Sequence, residues 1–316
     1  MIEAMLAGGM TVQDNRMLAV RYGTAVSVYS TEDYSKLADV TGVVGSIYQR
    51  AFKASPDGRY IASGAASAPY LTIIDTATWQ VVSAPIMPNV VLSLEFSPDG
   101  NHLWCCVSGN GIRRVNLGTM TIDASPVTTG SFNDISCSPD GKYIAYTSGS
   151  TISLLDAATL ASAGQSASVG GTGSIYSCAF SPDSQHIAVT GSNYLRIARV
   201  SDLALQPTGS STRSSRGELV RWHPNGSRIV VSGYQTTDAT LTFYSFAGFG
   251  QTPAGASLKP PAMLSTKQAA CYSPTGDCFA AIDGNYVYVW TRSDDPTPVA
   301  SKSLLVTAEP SGCILF

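Results

Sequence analysis

Apolar residues along this chain come in short runs of four to six, separated by polar turn formers. Residues 131–170 show the unit. Ile135 and Cys137 lead into Ser138-Pro139-Asp140-Gly141, where proline presets φ, aspartate bonds its own backbone and glycine takes a positive-φ position. Tyr143-Ile144-Ala145-Tyr146 follows, then the gap Ser148-Gly149-Ser150, then Ile152-Ser153-Leu154-Leu155, a second turn at 156–159 and a poorly patterned outer segment. The order is strand, turn, strand, loop, strand, turn, strand. It recurs in Ile61-Ala62 with 71–78, and in Ile187-Ala188-Val189 with Leu195-Arg196-Ile197. Apolar runs of this length, bounded by turn signals, are expected of strands buried on both faces. No stretch sustains a helical period, so helix content is expected to be close to nil.

The turn itself repeats. Phe96-Ser97-Pro98-Asp99-Gly100, Cys137-Ser138-Pro139-Asp140-Gly141 and Phe180-Ser181-Pro182-Asp183-Ser184 are the best copies. Ala54-Ser55-Pro56-Asp57-Gly58, Trp222-His223-Pro224-Asn225-Gly226 and Tyr272-Ser273-Pro274-Thr275-Gly276 are weaker ones. Successive prolines lie 41 to 43 residues apart, with one longer step of 50 between Pro224 and Pro274. Asp14-Asn15-Arg16 falls 43 residues before Asp57-Gly58-Arg59 and reads as a worn first copy. Seven units result, at about 11–45, 46–88, 89–129, 130–172, 173–215, 216–265 and 266–316. A period of about 40–45 with several short strands per unit is the signature of a β-propeller, whose four-stranded blades bury their faces only against their neighbours. The expected fold is therefore all-β, a single propeller domain of seven four-stranded antiparallel blades over 1–316.

The period also predicts how the ring closes. About 42 residues beyond Tyr272 lies Gly312-Cys313-Ile314-Leu315-Phe316, so Phe316 occupies the slot held by Phe96, Phe180 and Trp222. The first unit has a clear second strand at 17–22 but only Gly8-Gly9 where its inner strand belongs. Residues 312–316 are expected to supply that strand, with Ile314, Leu315 and Phe316 closing the ring. Residues 1–9 would then run outside it as an arm or edge strand.

Asp283-Gly284-Asn285-Tyr286-Val287-Tyr288-Val289-Trp290 resembles the third strand of a WD-repeat unit with its tryptophan in place. Over nearly the whole chain the units are similar to divergent WD-repeat propellers, and the Ser-Pro-Asp-Gly pattern is shared with lactonase-type and other bacterial propellers. The Gly-His and Trp-Asp pairs of the WD family are missing, and the aspartate of the second turn appears as Asp75 and Asp156 but as Asn116 or Ser245 elsewhere. The buried tetrad of that family is not carried over. The resemblance implies the fold; propellers host binding scaffolds and enzymes alike.

Composition narrows the chemistry. Hydrophobic residues make up 44% of the chain and charged residues 13%, with a net charge of −3, which removes the electrostatic footprint of a dedicated nucleic-acid binder. No apolar run reaches the length of a transmembrane helix, so no membrane insertion is expected. Met1 to Thr11 has Glu3 and no basic residue, so no signal peptide is expected. His102, His186 and His223 fall on or beside the turns of different blades and read as solvated turn residues rather than metal ligands. The seven cysteines lack a C-x-x-C spacing, and Cys137, Cys178, Cys271 and Cys313 sit on expected inner strands as small buried hydrophobes. Cys271 and Cys278 are equidistant from the centre of one hairpin turn, which leaves a disulfide between them open. Asp57, Asp99, Asp140 and Asp183 are isolated in separate turns and lack the spacing of a calcium loop. Val169-Gly170-Gly171-Thr172-Gly173-Ser174 lacks the helix of a phosphate cradle. No cofactor or metal is expected.

In a repeat protein the breaks in the period are where function concentrates. The long step before Pro274 carries Phe246 and Phe249 beside glycines, residues that either make an apolar contact point or fold back over the blade edge. Arg213 and Arg216, in the linker before the sixth unit, form with Arg221 the one basic cluster. Expected inner strands offer Arg50, Glu95, Asp134, Glu218 and Arg221 without a matching histidine, which argues against an enzyme. The reading is a non-enzymatic, structural propeller that binds protein partners in a larger assembly. Low charge with abundant Ser, Thr, Ala and Gly favours a bacteriophage virion component (tail, baseplate, collar or decoration protein), assembled in the host cytoplasm. A cytoplasmic WD-like adaptor and a lactonase-type enzyme are the alternatives, and a surface glycan stays open as a ligand class.

Overall fold

A computed structural model describes residues 17–43, 49–82, 85–123, 128, 130–169, 173–192, 194–205, 211–212, 216–234, 241–248, 255–258, 270–283, 286–291, 302–305 and 312–316. Among these residues, 28 strands form seven four-stranded antiparallel sheets. The single helical element among them is one 3-10 turn, Gln49–Ala51. The inner strands are Gly312–Leu315 for blade 1, Phe52–Ala54 for blade 2, Val91–Phe96 for blade 3 and Asp134–Cys137 for blade 4. Blades 5, 6 and 7 follow with Ile175–Phe180, Arg216–Trp222 and Ala270–Tyr272. Each inner strand packs on the next in a closed circuit that returns from blade 7 to blade 1. The result is the expected seven-bladed propeller. No helix among the described residues is long and apolar enough to cross a membrane.

Blade 4 shows why these residues form strands. Asp134–Cys137 pairs with Tyr143–Ser148 across the Ser-Pro-Asp-Gly turn, and Tyr143–Ser148 pairs with Thr151–Asp156 around Gly149-Ser150, where Gly149 has φ +54°. Inward side chains of one blade interdigitate with those of the next. Ala145, Ile152 and Leu154 meet Ile175, Cys178, Phe180, Ile187 and Val189 in one apolar layer. Consecutive Cys105 and Cys106 face opposite layers, the first towards blade 2 and the second towards blade 4.

The repeated turn is held by its serine. In blade 4 the Ser138 hydroxyl, fully buried, accepts from the Tyr143 amide at 2.9 Å and donates to Asp140 Oδ1 at 2.7 Å. The Gly141 amide then donates to the Ser138 carbonyl at 2.9 Å, with Gly141 at φ +72°. Ser55, Ser97 and Ser181 repeat this pattern with Asp57, Asp99 and Asp183. In blade 7, where threonine replaces the aspartate, Ser273 donates to Asp277 instead, at 2.8 Å. In the second turns the side chains of Asp75, Asn116 and Asp156 each accept two backbone amides, so asparagine substitutes without loss.

Ring closure uses the expected strand but in a register one residue off the sequence reading: the Phe316 amide bonds the Met17 carbonyl as the Ser273 amide bonds that of Cys278, so Phe316 stands in the turn-serine slot and Leu315 in the slot of Phe96, Phe180 and Trp222. Leu315, Ile314, Cys313 and Gly312 pair with Leu18, Ala19, Val20 and Arg21 of the strand Met17–Tyr22, and Met17 and Phe316 exchange backbone hydrogen bonds of 2.9 and 3.1 Å. Alternation divides the closing strand. Leu315 packs with Cys278, Ala280 and Val287 of blade 7, whereas Ile314 packs with Phe52, Ile61 and Ile74 of blade 2. Beside it the buried Arg21 guanidinium donates to the Ala51 carbonyl at 3.2 Å and to Ser63 Oγ at 3.0 Å, tying blade 1 to blade 2.

Three local expectations are corrected. Cys271 lies opposite Ala280 and Cys278 opposite Thr291, so the two do not face each other across their hairpin; all seven cysteines are free thiols. Arg216 belongs to the inner strand Arg216–Trp222 and not to the linker, because pairing with Tyr234 extends that strand backwards. His223 is buried and takes the place of the turn serine. Its Nδ1 accepts from the Asn225 amide at 3.1 Å, which leaves Nε2 to donate to the Gly276 carbonyl at 2.9 Å. The worn first turn at 14–16, the arm at 1–9, Arg213 and Phe249 lie outside the described residues.

Candidate functional site

The inner strands bring to the channel residues from every blade, and their height follows from their distance to the turn proline. Three residues before the proline stand Lys53, Glu95, Ser136, Ala179, Arg221 and Cys271 in blades 2 to 7, and Ile314 takes the same place in blade 1, with Cys313 one position before it. Alternation along the strands turns the residues on either side, such as Phe52, Leu94, Phe96, Val220 and Trp222, into the layers between blades. Lys53, Glu95, Arg221, Cys271 and Cys313 line one cavity of about 440 Å³ at the turn-side mouth of the channel. Its apolar wall includes Trp222, Tyr272 and Phe316.

The ring is heterogeneous in charge. Lys53 Nζ and Glu95 Oε2 form a half-buried ion pair of 2.8 Å between blades 2 and 3. Arg221 Nη1 donates to its neighbour's carbonyl, that of Val220, at 2.9 Å. Cys271 Sγ and Cys313 Sγ are 3.7 Å apart across the seam between blades 7 and 1. Lys53, Cys271 and Cys313 escaped the sequence reading as site residues. For Lys53 and Cys271 the signal was present as a constant offset of three from the turn proline, but nothing local marks that offset as the channel.

One layer deeper, five residues before the proline, the side chains strap the blades together. Asp134, 2% exposed, accepts from the Ser93 hydroxyl of blade 3 and from the Cys178 amide of blade 5, the latter at 2.9 Å. Ser177 Oγ likewise accepts from the Val220 amide at 3.3 Å. Of the inner-strand charges that the sequence offered, Asp134 is therefore a structural tie and Glu95 an ion-pair partner. Arg50 stands on the 3-10 turn before the second inner strand. Glu218 lies on the inner strand of blade 6.

The histidines stay apart from this ring. His102 stacks on Trp104 at 6.3 Å, under an Arg114 that pairs with Asp123, and lines a second hollow of about 520 Å³ between the turns of blades 3 and 4. His186 is half-buried against the ring of Phe246 at 5.2 Å, and burial pushes its imidazole below the ordinary range. Phe246 also meets Trp222 at 5.0 Å, so it folds back over the blade edge. Among the described residues no three His, Cys, Asp or Glu side chains group as a metal site.

The comparisons with known proteins agree with this geometry. The family model described as WD domain, G-beta repeat (WD40) matches residues 164–197, from the outer strand of blade 4 through most of the third strand of blade 5. No curated protein matches the chain. Among solved structures it is similar to a functionally unknown protein from Desulfotomaculum acetoxidans DSM 771, at TM-score 0.74 and 16% identity over 95% of this chain and 98% of that one. It is also similar to a chain in the crystal structure of a mitotic checkpoint complex, at TM-score 0.70 and 14% identity, covering 84% of this chain and 81% of that one.

Proposed function

We propose that this WD-repeat-like seven-bladed propeller is a non-enzymatic interaction scaffold that docks a protein partner at the turn-side mouth of its channel within a larger assembly. The observation that carries the reading is the mouth itself. A preformed cavity of about 440 Å³ combines an apolar wall of Trp222, Tyr272 and Phe316 with the ion-paired Lys53 and Glu95 and with Arg221. Buried aromatic and arginine positions surrounded by polar groups are the composition of interaction hot spots. The inter-blade straps through Asp134 and Ser177 hold that mouth rigid, so little ordering cost opposes binding. Similarity to a chain of a multi-protein complex supports the same direction.

The finer reading is that the assembly is a virus particle. Its support is compositional: 13% charged residues and a chain rich in Ser, Thr, Ala and Gly, traits of proteins that persist outside cells. The irregular segments around blades 5 and 6, with Arg213 and Phe249, are proposed as a second contact region. Electron microscopy of the native source, with the chain located by a specific antibody, tests the assembly. Purification of the chain as a free monomer from every fraction would overturn it. Arg221→Glu is expected to reduce incorporation at least tenfold, and Phe249→Ser with a shortened 248–255 segment to reduce it further. Unchanged incorporation removes the corresponding surface, and turnover in a lactone or glycoside screen that one point substitution abolishes would show an enzyme.

A further inference from the structure

We infer that Cys271 and Cys313 are a thiol-modification site, converted by a small anionic disulfide into a covalent bond that locks blade 7 to the closing strand of blade 1. The two residues lie on adjacent inner strands, one position out of step with each other, with Sγ atoms 3.7 Å apart. A disulfide needs about 2.05 Å between sulfurs, so the atoms must approach by roughly 1.7 Å, within the range of small side-chain rotations. Both line the channel-mouth cavity, which gives a small reagent access, and Cys271 is the more exposed of the two. In the cavity Lys53 is paired with Glu95 while Arg221 stands on the other side of the two cysteines, so the net positive charge of the three favours the approach of an anionic reagent. Cys278 shares the layer between blades 7 and 1 with this pair, on the face of Cys271 but two residues out of step with it, and the remaining cysteines lie in other layers.

The order of events follows from burial. Cys313 is 5% exposed, and its hydrogen bond with Cys271 together with burial holds its thiol well above the ordinary range. Cys271 therefore reacts first. Its thiolate attacks one sulfur of a disulfide RSSR, releasing one RS⁻ and leaving a mixed disulfide on Cys271. Cys313 then loses its proton and attacks Cys271 Sγ, releasing the second RS⁻. Two protein thiols and one RSSR become one protein disulfide and two RSH; the protein loses two electrons and two protons, and the reagent gains them.

The bond would matter because of where it falls. Among the described residues, blade 7 and the closing strand belong to different sheets and meet through side chains, whereas the strands inside each blade are hydrogen-bonded backbone to backbone. A covalent link there constrains opening of the ring at its seam and raises the melting temperature by about 4–8 °C.

The test treats the folded full chain with oxidised glutathione, blocks residual thiols with N-ethylmaleimide and maps peptides by mass without reduction. The expected product is a linked pair containing Cys271 and Cys313, lighter by two hydrogens, whose formation raises the melting temperature until reductant is added. In Cys313→Ser, Cys271 is expected to retain one glutathione, because the resolving thiol is gone. Should that variant fail to fold, Cys271→Ala serves instead: its melting temperature should not respond to glutathione or reductant. A Cys271 that stays unmodified in the folded wild type, a link to Cys278, or a melting temperature indifferent to the redox state would overturn the proposal.

Discussion

The closing strand offers the sharpest test of how the ring is held. Ile314 is 6% and Leu315 5% exposed, and they project to opposite faces, one against Phe52, Ile61 and Ile74 of blade 2, the other against Cys278, Ala280 and Val287 of blade 7. Cutting either to alanine removes three buried carbons and leaves a cavity between two sheets, at a cost of about 2–5 kcal/mol. For a domain of this size each kcal/mol moves the melting temperature by about 2 °C, so Ile314→Ala and Leu315→Ala should each melt about 4–10 °C lower. The double variant loses about 4–10 kcal/mol, comparable with the ~5–15 kcal/mol total stability of a typical domain, and should fail to fold. Leu37→Ala is the control, because Leu37 is 51% exposed on the outer strand Lys36–Thr41 of the same blade and its loss should cost no more than about 0.5 kcal/mol. Differential scanning fluorimetry of the four proteins at one concentration gives the ranking. If the two closing-strand variants melt with Leu37→Ala, the strand is not what closes the ring.

Ser138→Ala strands the part-buried Tyr143 amide and removes one of the partners of Asp140, which keeps Lys142, and should destabilise by about 1–3 kcal/mol in urea melts, whereas Ser→Ala changes at exposed positions should not. Asp134→Ala should cost about 2–5 kcal/mol by unpairing Ser93 and the Cys178 amide, with Asp134→Asn recovering part of the loss; an unchanged melt would remove its role as a strap. The Ser55 and Ser97 hydroxyls hold the Asp57 and Asp99 carboxyls below their ordinary range, and at Asp140 and Asp183, where burial is the largest single effect and opposes this, the serine bond, a backbone amide and a neighbouring positive charge together still lower the carboxyl. A carboxyl whose pKa is lower folded than unfolded contributes stability above its unfolded value, near 3.9, and loses it as the pH falls through the folded value. The melting temperature should therefore show no loss from these groups between pH 7 and about 5 and fall below about pH 4, less steeply in Ser138→Ala, where Asp140 has already lost one of its partners. A fall centred on pH 6 would contradict this assignment.

Much of this architecture was legible in the chain because blades are local objects. A proline that recurs at steps of 41 to 43 residues, with one of 50, marks the inner hairpin of six blades, and in those blades four strands close on one another within one period, so blade number and strand order follow from spacing. The pairing of residues 312–315 with the strand at 17–22 was legible too, except in its register, since the period leaves a strand without a blade at one end and a blade without a strand at the other. The contacts that make the mouth were not. Which side chains share a height in the channel depends on pairing register, and three inner strands shift theirs, between Val91 and Ser93, Ile175 and Ser177, and Gly217 and Leu219. Lys53 meeting Glu95, Asp134 spanning blades 3 and 5, and Cys271 beside Cys313 are all meetings between residues 41 to 44 positions apart. Local alternation states only which face a residue takes. What waits on that face is set by the neighbouring blade, and the angle at which seven twisted sheets pack around one axis decides which pairs come within bonding distance.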